Sequence, residues 1–198
     1  MKKLLVIIFL CIKITSFCQS TTDHFAAQKK HYALMELAQE YINKKDFKVA
    51  IACIDSAIKF PTFCKCGTCV HENYFNIKIL YAACYNGQGD FKRTIDLLSP
   101  DMLDFEVKEE LVEKLYESYL KVYKKEEIKN EFINACNPLN INKELSSYDE
   151  FQYQIKIFSR PVRLYYSLPR DKNTEEVKKL ECIKQIKQSR IYSLVMSE

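Results

Sequence analysis

The pattern of hydrophobic and polar positions between His31 and Pro61 predicts two helices joined by a short polar turn. In the first part, apolar residues recur at i, i+3, i+4 and i+7, which places them on one face of a helix. Residues 43–46 interrupt this stripe, and a second stripe follows until Pro61 stops the helix. The first stripe is Leu34, Leu37, Ala38 and Tyr41, and the second is Ala50, Ile54, Ala57 and Ile58. The stretch therefore predicts an antiparallel helical hairpin, in which small residues let the helices approach closely.

Two further stretches repeat this hairpin. Phe91 follows a turn like the one before Phe47, at an offset of 44 residues, and a further shift of 34 residues gives a third copy. The second copy places Tyr81, Ala82, Tyr85 and Leu98 at the apolar positions, and the third places Val112, Leu115, Tyr119, Ile128, Phe132 and Ala135 there. Three departures occur, because Thr94 and Tyr116 replace alanines of the first copy and Pro100 shortens the second hairpin.

This spacing of small and aromatic residues resembles the tetratricopeptide repeat, a helical hairpin of about 34 residues. The resemblance covers roughly residues 28–138. It implies a mostly α-helical solenoid of about three repeats that binds a protein or peptide partner on its concave face. A generic antiparallel helical bundle is the alternative architecture.

The resemblance also implies which residues would contact a partner. In tetratricopeptide arrays these are the second, fifth, ninth and twelfth positions of the first helix of each repeat. Here they are Tyr32, Met35, Gln39 and Ile42, then Asn76, Ile79, Ala83 and Asn86, and finally Glu110, Glu113, Glu117 and Leu120. The three glutamates disfavour an acidic partner and favour a neutral or basic one. Their spacing also fits a plain solvated helix face.

The extra residues between the first and second copies form a cysteine-rich insert, residues 62–74. Cys64, Cys66, Cys69 and His71 lie close together in it and are candidate zinc ligands, with Cys66 and Cys69 spaced as in half a zinc knuckle. Four ligands from one short loop are sterically awkward, and an exported protein meets oxidising conditions in which thiols pair. A disulfide from Cys69 to Cys64 or to Cys66, or a plain structural loop, is therefore favoured over zinc.

The sequence contains no convincing catalytic constellation. Of its 3 histidines, only His71 lies beside a candidate nucleophile, Cys69. Adjacent residues on a tight loop rarely face each other, and no third group is available to orient the histidine. We therefore predict no enzymatic activity and no cofactor; an enzyme that uses Cys69 and His71 is the alternative.

Residues 1–20 resemble a bacterial secretory signal. Lys2 and Lys3 precede an apolar run, residues 4–12, that is too short to span a bilayer, and small residues around Ser20 suit cleavage. The protein is therefore predicted to be periplasmic or secreted, with no transmembrane segment after signal removal. Lipid anchoring through Cys18 is the alternative, disfavoured by the bulky residue before it.

Removal of the signal changes the charge balance. It takes away three lysines and no acidic residues, so that 30 basic residues fall to 27 against 26 acidic ones. A nearly neutral chain offers no electrostatic case for binding nucleic acid.

After Pro138 the hydrophobic pattern changes to a period of two. Alternation in residues 151–157 and 162–168, interrupted at 159–161, predicts a β-hairpin. Thr174 is placed to cap a helix, and residues 190–196 either extend that helix or form a third strand. The apolar side of the helix is predicted to be Val177, Leu180, Ile183 and Ile186.

The chain is thus predicted to be mostly α-helical, with a small hairpin and helix at its end. A signal occupies residues 1–20, the repeats occupy 21–138, and residues 139–198 form an α+β part that caps the repeats. The predicted function is that of an exported scaffold for protein–protein interaction. A structural protein stabilised by metal or disulfides at the insert is the alternative.

Overall fold

The computed structural model describes most of the chain beyond the predicted signal. The described residues are 25–60, 62, 67–104, 107–145, 151–164 and 174–197. They belong to two compact units, Met1–Leu80 and Tyr81–Glu198, which divide within one long helix. The predicted signal lies outside the described residues, and the predicted domain limits at 20 and 138 stay a prediction.

The first unit contains the predicted helical hairpin. Residues 25–43 are helical (α1), α2 is Phe47–Ala57, and α3, Gly67–Gly87, continues into the second unit. The small residues Ala38, Ala50 and Ala57 are fully buried, as predicted, together with Ile54.

Not every residue of the predicted apolar stripes is buried in the structure. Leu37 is 37% exposed and Ile58 is 52% exposed, so these two members of the stripes lie outside the buried core. Ile58 lies beyond the last residue of α2, at its C-cap, where it no longer follows the helical face. The helix thus ends before Pro61 and not at it.

Both predicted polar turns are present and have the same backbone geometry. Lys45 has a φ of 61° and Gly89 a φ of 77°, so each turn contains one left-handed residue. The next residues, Asp46 and Asp90, cap α2 and the following helix by accepting the amide of the residue three positions later, at 3.3 and 3.2 Å.

The second unit consists of helices with a small sheet. Its elements are α4 (Phe91–Leu98), a 3₁₀ turn (Ser99–Asp101), α5 (Glu109–Val122), α6 (Lys125–Ala135), a second 3₁₀ turn (Pro138–Asn140), β1 (Asn142–Leu145), β2 (Phe151–Ile157), β3 (Arg160–Leu164), α7 (Glu175–Gln188) and α8 (Arg190–Met196). The α-helix α4 ends just before Pro100, as the sequence predicts. The apolar positions predicted for the third copy are confirmed as core, since Val112, Leu115, Tyr119, Ile128, Phe132 and Ala135 are all buried.

The predicted β-hairpin forms from β2 and β3, with Ile155 opposite Val162. Its turn is shorter than predicted, because only Phe158 and Ser159 interrupt the pairing and β3 begins at Arg160. An antiparallel third strand, β1, pairs with the other edge of β2 and was not predicted. The predicted alternation beyond Leu164 lies outside the described residues.

The C-terminal helices cover the remaining core of the second unit. The Thr174 hydroxyl caps α7 as predicted, accepting from the Val177 amide at 3.4 Å. The predicted apolar side of α7 is buried only in part, because Val177 and Leu180 are 40% and 60% exposed, whereas Ile186 is buried together with Cys182. Residues 190–196 form α8, which packs on α5, α6 and α7, and this excludes the strand alternative.

The described residues therefore form mainly helices, with one three-stranded antiparallel sheet. Over these residues, no helix combines the length and the apolar character that crossing a membrane requires.

Candidate functional site

The predicted partner-binding residues of α1 differ in their accessibility. Tyr32 and Gln39 are exposed, and Met35 is half-buried. The Gln39 amide donates to Asn43 Oδ1 at 3.1 Å, one turn further along the same helix. Tyr32 therefore offers the largest accessible apolar side chain among these three positions.

The predicted partner-binding residues of α3 are less accessible. Asn76, Ile79, Ala83 and Asn86 are all half-buried. Asn86 is engaged inside the second unit, because its Oδ1 accepts from Thr94 Oγ1 at 2.6 Å and lies 3.0 Å from Ser118 Oγ. Since Thr94 and Ser118 belong to α4 and α5, Asn86 ties three helices together.

The predicted glutamates of α5 lie on its exposed face. Glu113 and Glu117 are exposed, and Glu113 forms a 3.5 Å ion pair with Arg190 at the start of α8. Exposed ion pairs contribute little to stability. The chain's own basic side chain thus already contacts this acidic face.

The cysteine-rich insert is described only in part. Cys64 and Cys66 lie outside the described residues; Cys69 and His71 lie in the helical backbone of α3, so this end of the insert is helix and not loop. Where side chains are described, no group of three or more His, Cys, Asp or Glu is placed to hold a metal ion. Zinc or a disulfide at the insert stays a prediction.

Four further cysteines are described, and all are free thiols: Cys53, Cys84, Cys136 and Cys182. Burial raises the pKa of Cys84 to about 11 and that of Cys182 to about 12. Because the thiolate is the nucleophile, these two side chains are poorly suited to catalysis near neutral pH.

A buried histidine connects the helices of the first unit. His31 Nδ1 donates to the carbonyl oxygen of Ala57, the last residue of α2, at 2.9 Å, and its Nε2 lies 3.1 Å from Asn73 Oδ1 on α3. Asn73 Nδ2 in turn donates to Thr62 Oγ1 at 3.3 Å, at the start of the insert. Buried polar groups need such partners, so His31 is accounted for as a structural residue.

A cluster of aromatic and charged contacts lies where the β2–β3 turn meets the helices of the second unit. The Phe158 ring stacks on Tyr123, the C-cap residue of α5, with ring centroids 3.7 Å apart and planes 6° from parallel. Arg160 pairs with Asp96 of α4, and its guanidinium donates to Tyr123 Oη at 2.9 Å. The Phe158 amide donates to Glu131 of α6 at 2.8 Å. Three helices thus hold one turn.

Sequence patterns give no sign of this cluster. Arg160 and Asp96 are 64 residues apart in the chain, and the turn residues lack the Asn-Gly or Asp-Gly pair that marks tight hairpins. Beneath the cluster, Tyr119 is fully buried and its hydroxyl lies 3.0 Å from Ser99 Oγ. Burial raises the pKa of Tyr119 to about 12, which keeps its hydroxyl neutral.

No protein-family model, curated protein or solved structure matches this chain.

Proposed function

We propose that this protein is an exported scaffold built from tetratricopeptide-like helical hairpins, which binds a protein or peptide partner through the first helices of its repeats. The observation that carries the proposal is the recurrence of one helix–turn–helix geometry at an offset of 44 residues. In the first turn, the amide of Asp46 donates to the carbonyl of Tyr41 at 2.9 Å; in the second, Asp90 donates to Tyr85 at 2.8 Å.

The positions around these turns recur as well. The amides of Lys45 and Gly89 bond to the carbonyls three residues before them, at 2.9 and 3.0 Å. Ala38 and its counterpart Ala82 are both fully buried. A duplicated turn with a matching core position is what a helical repeat requires, because each unit buries the same face against its neighbour.

The third copy keeps the core pattern but changes the turn. Tyr123 lies 34 residues after Gly89 and has a φ of −129°, so the left-handed residue is not repeated. Here the amide of Lys124 donates to Glu127 Oε2 at 2.8 Å, which caps α6 in place of an aspartate. The third copy of the repeat therefore supports the proposal through its core positions alone.

The charge and the accessibility of these positions indicate which chemical groups a partner would present. Among the proposed partner-binding positions, the exposed residues are Tyr32 and Gln39 in the first unit and Glu110, Glu113 and Glu117 in the second. A Tyr ring supplies apolar contact area, and carboxylates attract basic side chains. We therefore propose a partner that presents apolar and basic groups, with no part played by nucleic acid.

Site-specific photo-crosslinking in the native cell tests this surface. A photoreactive residue at Tyr32 and, separately, at Glu117 should capture the same partner protein. Lys48, which is exposed on α2, is the matched control and should capture nothing in common with them. Equal products from all three positions, or none from the first two, would contradict the proposed binding face.

The export part of the proposal has its own test. N-terminal sequencing of the protein from its native cell should begin near Thr21, following the signal organisation of residues 1–20. An acylated Cys18 would replace simple secretion by lipid anchoring. An intact Met1 on cytoplasmic protein would contradict export. Binding of a partner would then still be tested by the crosslinking experiment.

A further inference from the structure

The turn between β2 and β3 has a backbone conformation that its own residues disfavour. Phe158 and Ser159 have φ values of 50° and 65°, between the paired residues Ile157 and Arg160. Two-residue turns with both φ values positive favour Asn and Gly, which tolerate the left-handed region. A bulky aromatic residue there is an outlier, and its strain must be offset by surrounding contacts.

Those contacts come from outside the hairpin. The Phe158 ring stacks on Tyr123, and the Phe158 amide donates to Glu131 at 2.8 Å. Arg160, on the other side of the turn, binds Asp96 and the Tyr123 hydroxyl. Each of the helices α4, α5 and α6 therefore supplies one anchor.

We propose that residues 158–160 act as a clasp, whose turn keeps its left-handed conformation only while it is docked on α4, α5 and α6. Docking and turn formation are then one event: when the clasp leaves the helices, the end of the β2–β3 hairpin loses its order and the stacked face of Tyr123 is uncovered. The clasp is a conformational device of the second unit, and it is independent of the proposed partner surface.

Hydrogen exchange of the full mature chain tests the clasp. Tyr123→Ala removes the stacking platform and one hydrogen bond, and the amides of β2 and β3 should exchange about tenfold faster although the strands themselves are unchanged. Lys121→Ala, at an exposed position in the last turn of α5, is the matched control and should leave exchange in β2 and β3 as it is.

The decisive step is a rescue. In the Tyr123→Ala background, Phe158→Asn together with Ser159→Gly gives the turn a sequence that favours its conformation without help from the helices. Exchange in β2 and β3 should then return toward the wild-type rate. A rate that stays fast would overturn the clasp, because the helices would then supply ordinary packing and not the turn conformation.

A milder variant keeps the proposal testable if Tyr123→Ala does not fold. Tyr123→Phe preserves the stacked ring and removes only the hydroxyl that binds Arg160. Faster exchange confined to β2 and β3 supports the clasp. The clasp is overturned if the exchange rates of β2 and β3 are unchanged in Tyr123→Phe and Tyr123→Ala either does not fold or also leaves those rates unchanged.

Discussion

Lys45 and Gly89 have the same left-handed backbone conformation, with φ values of 61° and 77°, at equivalent places in two turns 44 residues apart. The second turn uses the residue that accepts this conformation freely, whereas the first forces a lysine into it. Left-handed conformation costs an L-residue about 1–2 kcal/mol, and glycine avoids that cost. The two turns therefore have the same geometry, but the first carries a conformational cost that the second avoids.

Exchanging the residues should reveal this difference. Lys45→Gly should raise the free energy of unfolding by up to about 1 kcal/mol, since relief of the strained φ exceeds the added entropy of the unfolded chain. Gly89→Ala should lower it by about 1 kcal/mol or more. A Cβ at Gly89 would meet no atom within 4 Å, so the cost is conformational and not steric. Chemical denaturation measures both, and effects of the same sign would refute the equivalence of the turns.

Local patterns in the sequence were enough to predict the helices around these turns and the β2–β3 hairpin, because both depend on short-range periodicity. The strand β1 was missed, since Asn142–Leu145 has no alternation of apolar residues and is a strand through its pairing with β2. The exposure of Leu180 was missed as well, because a periodic apolar face does not say which neighbour will cover it.

The buried small residues of α2 give a second prediction. Ala50 and Ala57 are fully buried, so Ala50→Leu or Ala57→Leu inserts methylenes into the packed core and should cost about 1–3 kcal/mol. Lys48→Leu adds apolar volume on an exposed position of the same helix and should be nearly neutral. Thermal unfolding compares the three variants. Equal shifts for buried and exposed positions would show that the helical register is wrong.

The cysteine-rich insert yields a third prediction. The proposed export would place the insert in oxidising conditions, so we expect one disulfide from Cys69 to Cys64 or to Cys66, while Cys53 and Cys182 remain thiols. Intact mass after alkylation, with and without prior reduction, should show one disulfide, and peptide mapping should place it in the insert. Elemental analysis tests the alternative, a zinc site at the insert. In that case zinc would be bound to the native protein, and the insert cysteines would all be alkylated after denaturation without prior reduction. Free cysteines without metal would contradict both structural roles.

The hydrogen bonds of Asn86 were not predicted from the sequence. The repeat resemblance assigned it to the partner surface, but its side chain is turned to the hydroxyls of Thr94 and Ser118 within the same unit. A position in a repeat fixes where a residue lies along the helix. It does not fix whether a polar side chain is taken up by its neighbours, which depends on residues in other helices.

A fourth prediction follows from this arrangement. Asn86→Ala leaves the hydroxyl of the fully buried Thr94 without its acceptor and should lower the free energy of unfolding by about 1–3 kcal/mol. In a Thr94→Val background, where the donor is already gone, the same substitution should cost less. A double-mutant cycle by chemical denaturation measures the coupling. Strictly additive effects would show that the hydrogen bond contributes nothing.

The buried hydroxyl of Tyr119 gives the last prediction, a loss of stability in alkaline solution. Burial raises the pKa of Tyr119 from 10.0 to about 12 in the folded protein. Above pH 10 the unfolded chain therefore releases this proton while the folded chain keeps it, so the free energy of unfolding falls as pH rises toward about 12.

The thiols of Cys84 and Cys182 act in the same direction from their ordinary pKa of 9.0, because burial raises theirs as well. Tyr119→Phe removes only the tyrosine contribution. The variant should lose stability at neutral pH, because the buried Ser99 hydroxyl loses its partner, yet its stability should fall less steeply above pH 10. Denaturation curves at several pH values separate the two effects. Parallel curves for wild type and Tyr119→Phe would mean that the Tyr119 hydroxyl ionises equally easily in the folded and the unfolded chain.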